Sequence, residues 1–350
     1  ALPIFFQPEE IAAWREEIGP RLGLPWRKLP FYFAEAYMYL RILLASGYYD
    51  RRSPYFGVDP FEGSKTGELS RFLSAPESRS AVGAFRELGM AARDGGSRAD
   101  AAEALEGAVL FMLKGNRIDL SNARIAEHGR KLMHDGGRGD LLVDQLDLLG
   151  RLLRHAKRVE LILDNAGAEL AADLVFVWCF LSAFPDARIV VHAKRAPIFV
   201  SDAMMKDLDH TVEAFASGPF PEIGRGLYSF RESARLQVRD HFFWNGPKHF
   251  TSFPREIAAD LSGSDLIIVK GDANFRRIVE DRKWPYETPL DEIAAGFPGV
   301  FAVLRTLKSE VAADIPRDLA ERLTREDPAW LVDGRWGVIR VVGNGRKKGE

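Results

Sequence analysis

Four short segments gather oxygen donors and cations at spacings suited to holding a divalent ion and an anion. The first is Leu163-Asp164-Asn165-Ala166-Gly167-Ala168-Glu169, where a carboxylate and an amide oxygen follow an apolar run. Hard cations such as magnesium or manganese take such oxygen ligands. The same residue types also cap helices, because Asp or Asn satisfies free backbone N–H groups. The second is Val200-Ser201-Asp202, after the run ARIVVHA and a turn through Pro197. A parallel arrangement brings Asp202 beside the end of the neighbouring strand, so that two carboxylates and one amide converge. Without a cation such carboxylates repel and one retains its proton. Asp202 equally suits the N-cap of the helix that follows, and the two roles are compatible.

The third segment, Lys270-Gly271-Asp272-Ala273-Asn274-Phe275-Arg276-Arg277, also follows an apolar run. Glycine permits close backbone approach, and a helix start offers N–H groups to an anion. Lys270 and Arg276 add positive charge, and guanidinium groups match phosphate bidentately. Arg277 reads as part of a solvated charged face. The fourth, Arg305-Thr306-Leu307-Lys308, brings two cations and a hydroxyl. Glu35 and Arg41, on the aromatic stretch FYFAEAYMYLRI, and Asn116 and Asp119, in GNRIDLS, are weaker candidates that suit ion pairing or capping equally well.

The elements that must position these segments follow from apolar periodicity. RVELILD (158–164), ARIVVHA (187–193), SDLIIVKGD (264–272) and GVFAVLRT (299–306) are short runs that read as strands, and RWGVIRVV (335–342) reads as an edge strand. Helical spacing occupies 33–49, 97–113, 141–156 and 168–183. Strands alternating with helices predict an α/β fold, a Rossmann-like and mostly parallel sheet with helices on both faces. An all-helical N-terminal domain is expected over 1–150 and the α/β catalytic domain over 151–345. Open sheets of this kind bind ligands at the carboxyl ends of their strands, where all four segments fall.

The bulk composition bounds the function class. The 350 residues are 46% hydrophobic and 28% charged, with a formal net charge of −2. That balance gives no whole-molecule attraction to nucleic acid or to an anionic membrane, so an anionic ligand needs a local cluster of cations. The one cysteine, Cys179, lies in the apolar run LVFVWCFL and is expected in the core. No intrachain disulfide can form, the first residues lack a signal-peptide pattern, and no run approaches the roughly 20 apolar residues of a spanning helix; a cytoplasmic location is expected.

At FAEAYMYLRI, GNRIDLS, LILDNAGAEL, VHAKRAPIFVSD, LIIVKGDANFRRIVED and LRTLK the chain resembles the damage-control phosphatase family, formerly domain of unknown function 89. The RTxK pattern, Arg305-Thr306-Leu307-Lys308, resembles subfamily III, which includes proteins once described as acidic-residue methyltransferases. The resemblance spans about residues 31 to 308. It implies a divalent metal (Mn2+, Mg2+, Co2+ or Ni2+) on Asp164, Asn165 and Asp202, substrate contacts from Asp272 to Arg276 and from Lys308, and hydrolysis of small phosphometabolites, fructose phosphates among them. Phe275 stands where tyrosine is common, a departure expected to alter substrate preference. The combined expectation is metal-dependent phosphomonoester hydrolysis by Asp164, Asn165 and Asp202, by water or by direct attack of Asp164. Glu35, Arg41, Asn116, Lys270, Asp272, Asn274, Arg276, Arg305 and Lys308 are expected to line the substrate.

The alternative is an S-adenosylmethionine-dependent carboxyl methyltransferase, with Glu169 as a cofactor contact; the usual glycine-rich strand-to-helix turn is missing. A non-catalytic sugar-phosphate sensor is a third reading, opposed by the intact metal set. Haloacid-dehalogenase chemistry is disfavoured because Ala166 stands two residues after Asp164, and nicotinamide chemistry because the glycine fingerprint is absent.

Overall fold

The computed structural model describes residues 8–94, 98–115 and 138–343. Asn116 and Asp119 lie outside them. Five helices come first: α1 (Pro8–Ile18), α2 (Phe31–Ser46), α3 (Glu62–Ser74), α4 (Pro76–Arg93) and α5 (Arg98–Lys114). The remaining helices are α6 (Leu146–His155), α7 (Ala168–Ala183), α8 (Met205–Ser217), α9 (Pro221–Glu232), α10 (Phe242–Asn245), α11 (Arg255–Ser262), α12 (Asp272–Ile278), α13 (Leu290–Ile293) and α14 (Arg317–Glu326). The strands are β1 (Leu141–Asp144), β2 (Arg158–Ile162), β3 (Arg188–Ala193), β4 (Leu236–Asp240), β5 (Leu266–Lys270), β6 (Phe301–Thr306) and β7 (Gly337–Val342).

The seven strands form one sheet in the order β1-β7-β6-β5-β2-β3-β4. Every neighbouring pair is parallel except β6 with β7. The α/β expectation therefore holds, with two corrections. RWGVIRVV supplies β7, which is interior, because β1 takes the edge beyond it. Residues 141–156 are not one helix: 141–144 pair with β7, and only 146–155 are helical.

Both faces of the sheet are buried, as a parallel sheet requires. On β5, Leu266 and Ile268 join the cluster around α7, while Ile267 and Val269 join a second cluster with Trp244, Phe250 and Phe275. β6 divides the same way, Ala302 and Leu304 on one side and Phe301 and Val303 on the other. Helix α7 is apolar on every face except where Glu169 and Asp173 lie, and every residue from Ala168 to Leu181 is buried. It lies between the sheet and helices α4 and α5, so the cluster runs continuously from Leu69 to Val341. A third cluster joins α1 and α2, through Trp14, Tyr32, Phe33 and Leu40, to Ile198 in the loop after β3. Among the described residues no helix is long and apolar enough to cross a membrane.

Candidate active site

The strand order reverses direction at the centre of the sheet. From β2 the chain proceeds to β3 and β4 on one side, then crosses back to β5 on the other. The loops leaving β2 and β5 therefore diverge, and the crevice between them is where open α/β sheets place ligands. Asp164 follows β2 and Asp272 follows β5. Two backbone bonds zip the β2 loop to the β3 loop, Ala166 N donating to Ser201 O (2.7 Å) and Ala203 N to Asp164 O (2.8 Å), and Lys194 N to Ala203 O (2.8 Å) closes the β3 loop on itself. An isolated bridge pairs Asn165 with Asp202. Immediately before Ser201, Phe199 and Val200 both have positive φ, 49° and 63°. A β-branched residue in the left-handed region is strained, and such strain persists only where packing enforces it. Here Phe199 is wedged between the rings of Tyr32 and Tyr39, at 5.7 and 5.6 Å.

A cavity of about 350 Å³ opens at this crevice. Of the expected residues, Glu35, Asp164, Asn165, Asp202, Asp272, Arg276 and Lys308 line it. Asp164 and Asp202 are 4% and 1% exposed. Asp164 Oδ1 has no hydrogen-bond partner, and Oδ2 accepts from Asn165 Nδ2 at 2.8 Å. Burial pushes the Asp164 carboxyl well above the usual carboxylate range, reinforced by the charges of Glu169 and Asp202 and opposed by Lys194 and Lys308. Burial also raises Asp202, against the pull of Lys194, whose Nζ lies 3.2 Å from Asp202 Oδ2 without hydrogen-bond alignment. Two buried carboxylates beside an amide, one of them with an oxygen that has no partner among the described residues, form an oxygen-only donor set that suits a hard divalent cation. That cation would replace the protons burial otherwise favours.

The opposite wall is cationic and aromatic. The Arg276 guanidinium stacks 4.4 Å over the Phe31 ring and pairs with Asp281, while Lys308 is exposed and its amine has no ion-pair partner among the described residues. Glu35 is half-buried, and burial raises its pKa against the influence of Arg276.

Four expected substrate contacts are placed otherwise. Lys270 shares the face of Leu266 and Ile268, so strand alternation sends it toward α7. There its ammonium meets Asp173 Oδ1 (2.6 Å), Glu169 Oε1 (3.0 Å) and Met112 O (2.9 Å). Arg305 goes to the other face, bonding Asp272 Oδ1 (2.7 Å) and Val311 O (2.7 Å) with its guanidinium 4.0 Å over the Phe275 ring. Asn274 is fully buried and donates to Leu163 O and Lys270 O, both 2.9 Å, tying the ends of β2 and β5 together. Arg41 lies six residues after Glu35, roughly 240° around the helix, and is exposed against Tyr37. Asn116 lies outside the described residues. Arg277 is also corrected: it is fully buried between Phe243 and Phe250 and donates to Lys248 O and Phe243 O. Phe275 is 3% exposed beneath Arg305 and does not itself line the cavity. Glu169, 2% exposed, is occupied by Lys270 and Asn165, which leaves no free carboxylate for a cofactor contact.

Lys194, Tyr32 and Phe199 join the site without having been singled out by the sequence, whereas Ser201 belongs to its second segment. Ile162 and His192 pair in register, so Lys194 comes level with Asp164, each two residues beyond its pair. That position was the available signal. A separate cluster of Glu160, His192 and Asp260 also brings metal-type ligands together. The Arg158 guanidinium already pairs with both of its carboxylates, so the cluster carries its own cation.

Comparison with known proteins shows the family. The damage-control phosphatase ARMT1-like domain model matches residues 7–323. Damage-control phosphatase ARMT1 of Danio rerio is 30% identical, covering 95% of this chain and 79% of its own. The Rattus norvegicus protein of that name is also 30% identical, over 91% and 75%. A solved DUF89 family protein from Pyrococcus horikoshii, 16% identical, covers 95% of this chain and 98% of its own with a TM-score of 0.45. The chain belongs to the damage-control phosphatase ARMT1-like family, and is a phosphatase.

Proposed function

We propose that the chain hydrolyses a small phosphorylated metabolite, a sugar monophosphate such as fructose 1-phosphate or fructose 6-phosphate, using a divalent cation held by Asp164, Asn165 and Asp202. The observation that carries this reading is the buried Asp164 Oδ1, which has no hydrogen-bond partner among the described residues, in the same cavity as Asn165, Asp202 and the exposed Lys308. When bound, a divalent ion supplies Lewis-acid polarisation of a phosphoryl oxygen and a more acidic water. Lys308 and Arg276 neutralise charge on the phosphoryl oxygens, the main contribution a protein makes to phosphoryl transfer. Glu35 and Asp272 accept hydrogen bonds from hydroxyl groups of the organic moiety. The Phe31 and Tyr32 rings, carried by α2, close one side of the cavity and reduce solvent access.

Activity against a panel of sugar phosphates, assayed with magnesium, manganese, cobalt and nickel in turn, tests the reading. Asp164→Ala is expected to fold and to lose nearly all turnover. Metal-dependent turnover persisting in that variant would overturn the assignment, and trapping of a phosphorylated Asp164 would replace water attack with direct attack.

A further inference from the structure

Behind the cavity lies a group of buried charges that the proposed chemistry does not use. Lys270 is 1% exposed and sits among Glu169, Asp173 and the carbonyl of Met112. Asp173 is fully buried and Glu169 2% exposed. Desolvating three charges is costly, and an apolar trio of similar volume often stabilises a core better. Stability alone is therefore a poor account of the group.

Its connection to the cavity is specific. Glu169 places Oε1 on Lys270 at 3.0 Å and Oε2 on Asn165 Nδ2 at 2.9 Å. Asn165 Nδ2 also donates to Asp164 Oδ2 at 2.8 Å, and Asn165 Oδ1 accepts from Ser201 Oγ at 2.6 Å. A primary amide has a donor end and an acceptor end that differ little in shape. Two carboxylates facing one end fix it as the donor, and the oxygen is left on the side of Ser201, another cavity residue. Lys270 is what holds Glu169 in place, its ammonium 3.0 Å from Oε1 and between that carboxylate and Asp173.

We infer that Glu169, clamped by Lys270, is a positioning residue that sets which end of the Asn165 amide the cavity presents. This rests on the metal reading above. Groups that hold ligands from behind are typically worth ten- to a hundredfold in metal affinity. The Lys270 bond to Met112 O, in the last turn of α5, further ties the amide's orientation to the seating of the helical layer.

The test uses the full chain and Mn2+ alone, with free Mn2+ counted by electron paramagnetic resonance and unfolding followed by circular dichroism in the absence of metal. Glu169→Gln keeps the size but offers Asn165 either end of an amide. It is expected to weaken Mn2+ binding roughly ten- to a hundredfold. In turnover assays the Mn2+ concentration for half-activation rises by the same factor, while kcat at saturating Mn2+ returns to near the wild-type value. Glu169→Asp keeps the charge, is expected to fall between the two, and carries the test if Glu169→Gln does not fold. A folded variant with unchanged Mn2+ affinity overturns the positioning role, as does a kcat that saturating metal does not restore. Wild-type protein that binds no Mn2+ would instead sink the metal reading itself.

Discussion

The carboxylate of Asp164 occupies the space that a side chain at residue 271 would need. A Cβ built on Gly271 falls 1.9 Å from Asp164 Oδ2, and Gly271 has a φ of +81°. Both facts demand glycine: the left-handed conformation costs other residues about 1–2 kcal/mol, and the contact is far inside van der Waals distance. Asp164 lies two residues after β2 and Gly271 one after β5, so the close approach is where the two central strands deliver their loops to one point.

Gly271→Ala is therefore expected to displace Asp164 and to abolish nearly all turnover. The chain should still fold, since the clash lies at the cavity and not inside either cluster of apolar side chains. Thermal unfolding and Mn2+ titration of the same preparation check this; an alanine variant with wild-type activity would show that Asp164 moves freely.

The legible part of the molecule is what period and position alone determine. β2, β3, β5 and β6 were readable because they are β-branched runs buried on both faces. Their ends pointed to Asp164, Asp202, Asp272 and Lys308. Strand alternation was the step not carried through. Lys270 and Arg305 are strand residues, and their parity with Ile268 and Val303 sends them to opposite apolar faces. β1 was hidden because LLVD runs directly into the amphipathic helix α6, and its pairing with β7, nearly 200 residues away, leaves no local trace. Tyr32 and Phe199 became site residues only through packing of α2 on the β3 loop, which no spacing records.

Lys194 and Asp202 form a buried pair, each 2% exposed at the side chain, with Nζ and Oδ2 3.2 Å apart. Removing one member of such a pair strands the other charge, at a typical cost of about 3–5 kcal/mol. Lys194→Met is expected to destabilise the chain in that range and to raise the Asp202 pKa further. Adding Asp202→Asn should recover most of the stability and none of the activity. Denaturant melts of the single and double variants decide it, and equal stabilities for Lys194→Met with and without Asp202→Asn would show that the two groups do not interact.

Lys308 is exposed, so Lys308→Ala should leave the unfolding temperature within a degree or two. Its loss should act on substrate. A charge-assisted bond to phosphate is worth about 1.5–3 kcal/mol, or roughly ten- to a hundredfold in kcat/KM. Added salt should narrow the gap between wild type and variant, because an exposed charge is screened. Steady-state kinetics at two ionic strengths measure both; an unchanged kcat/KM removes Lys308 from phosphate binding.

His249 contributes a pH dependence of definite sign. It packs on Tyr32, with ring centroids 6.3 Å apart, in the layer that carries α2 over the cavity, and its Nδ1 is buried without a partner. Burial, and then the positive charge of Arg277, depress its pKa below the ordinary 6.5, while Glu280 and Asp281 oppose the shift. Above 6.5 the ring is neutral in both folded and unfolded chains and contributes no pH slope. As pH falls below 6.5 the unfolded chain takes up a proton that the folded chain refuses, so stability drops until the folded pKa is reached. His241 is depressed in the same direction, with burial as the leading cause, and adds to that slope. The raised carboxyls of Asp164, Asp173 and Asp202 act in the opposite sense, so the His249 contribution is read as a difference: from pH 7 to pH 5 His249→Gln is expected to gain stability relative to the wild type. Calorimetric scans of both proteins across that interval check the prediction; parallel curves would mean that His249 protonates equally in the folded and unfolded chain.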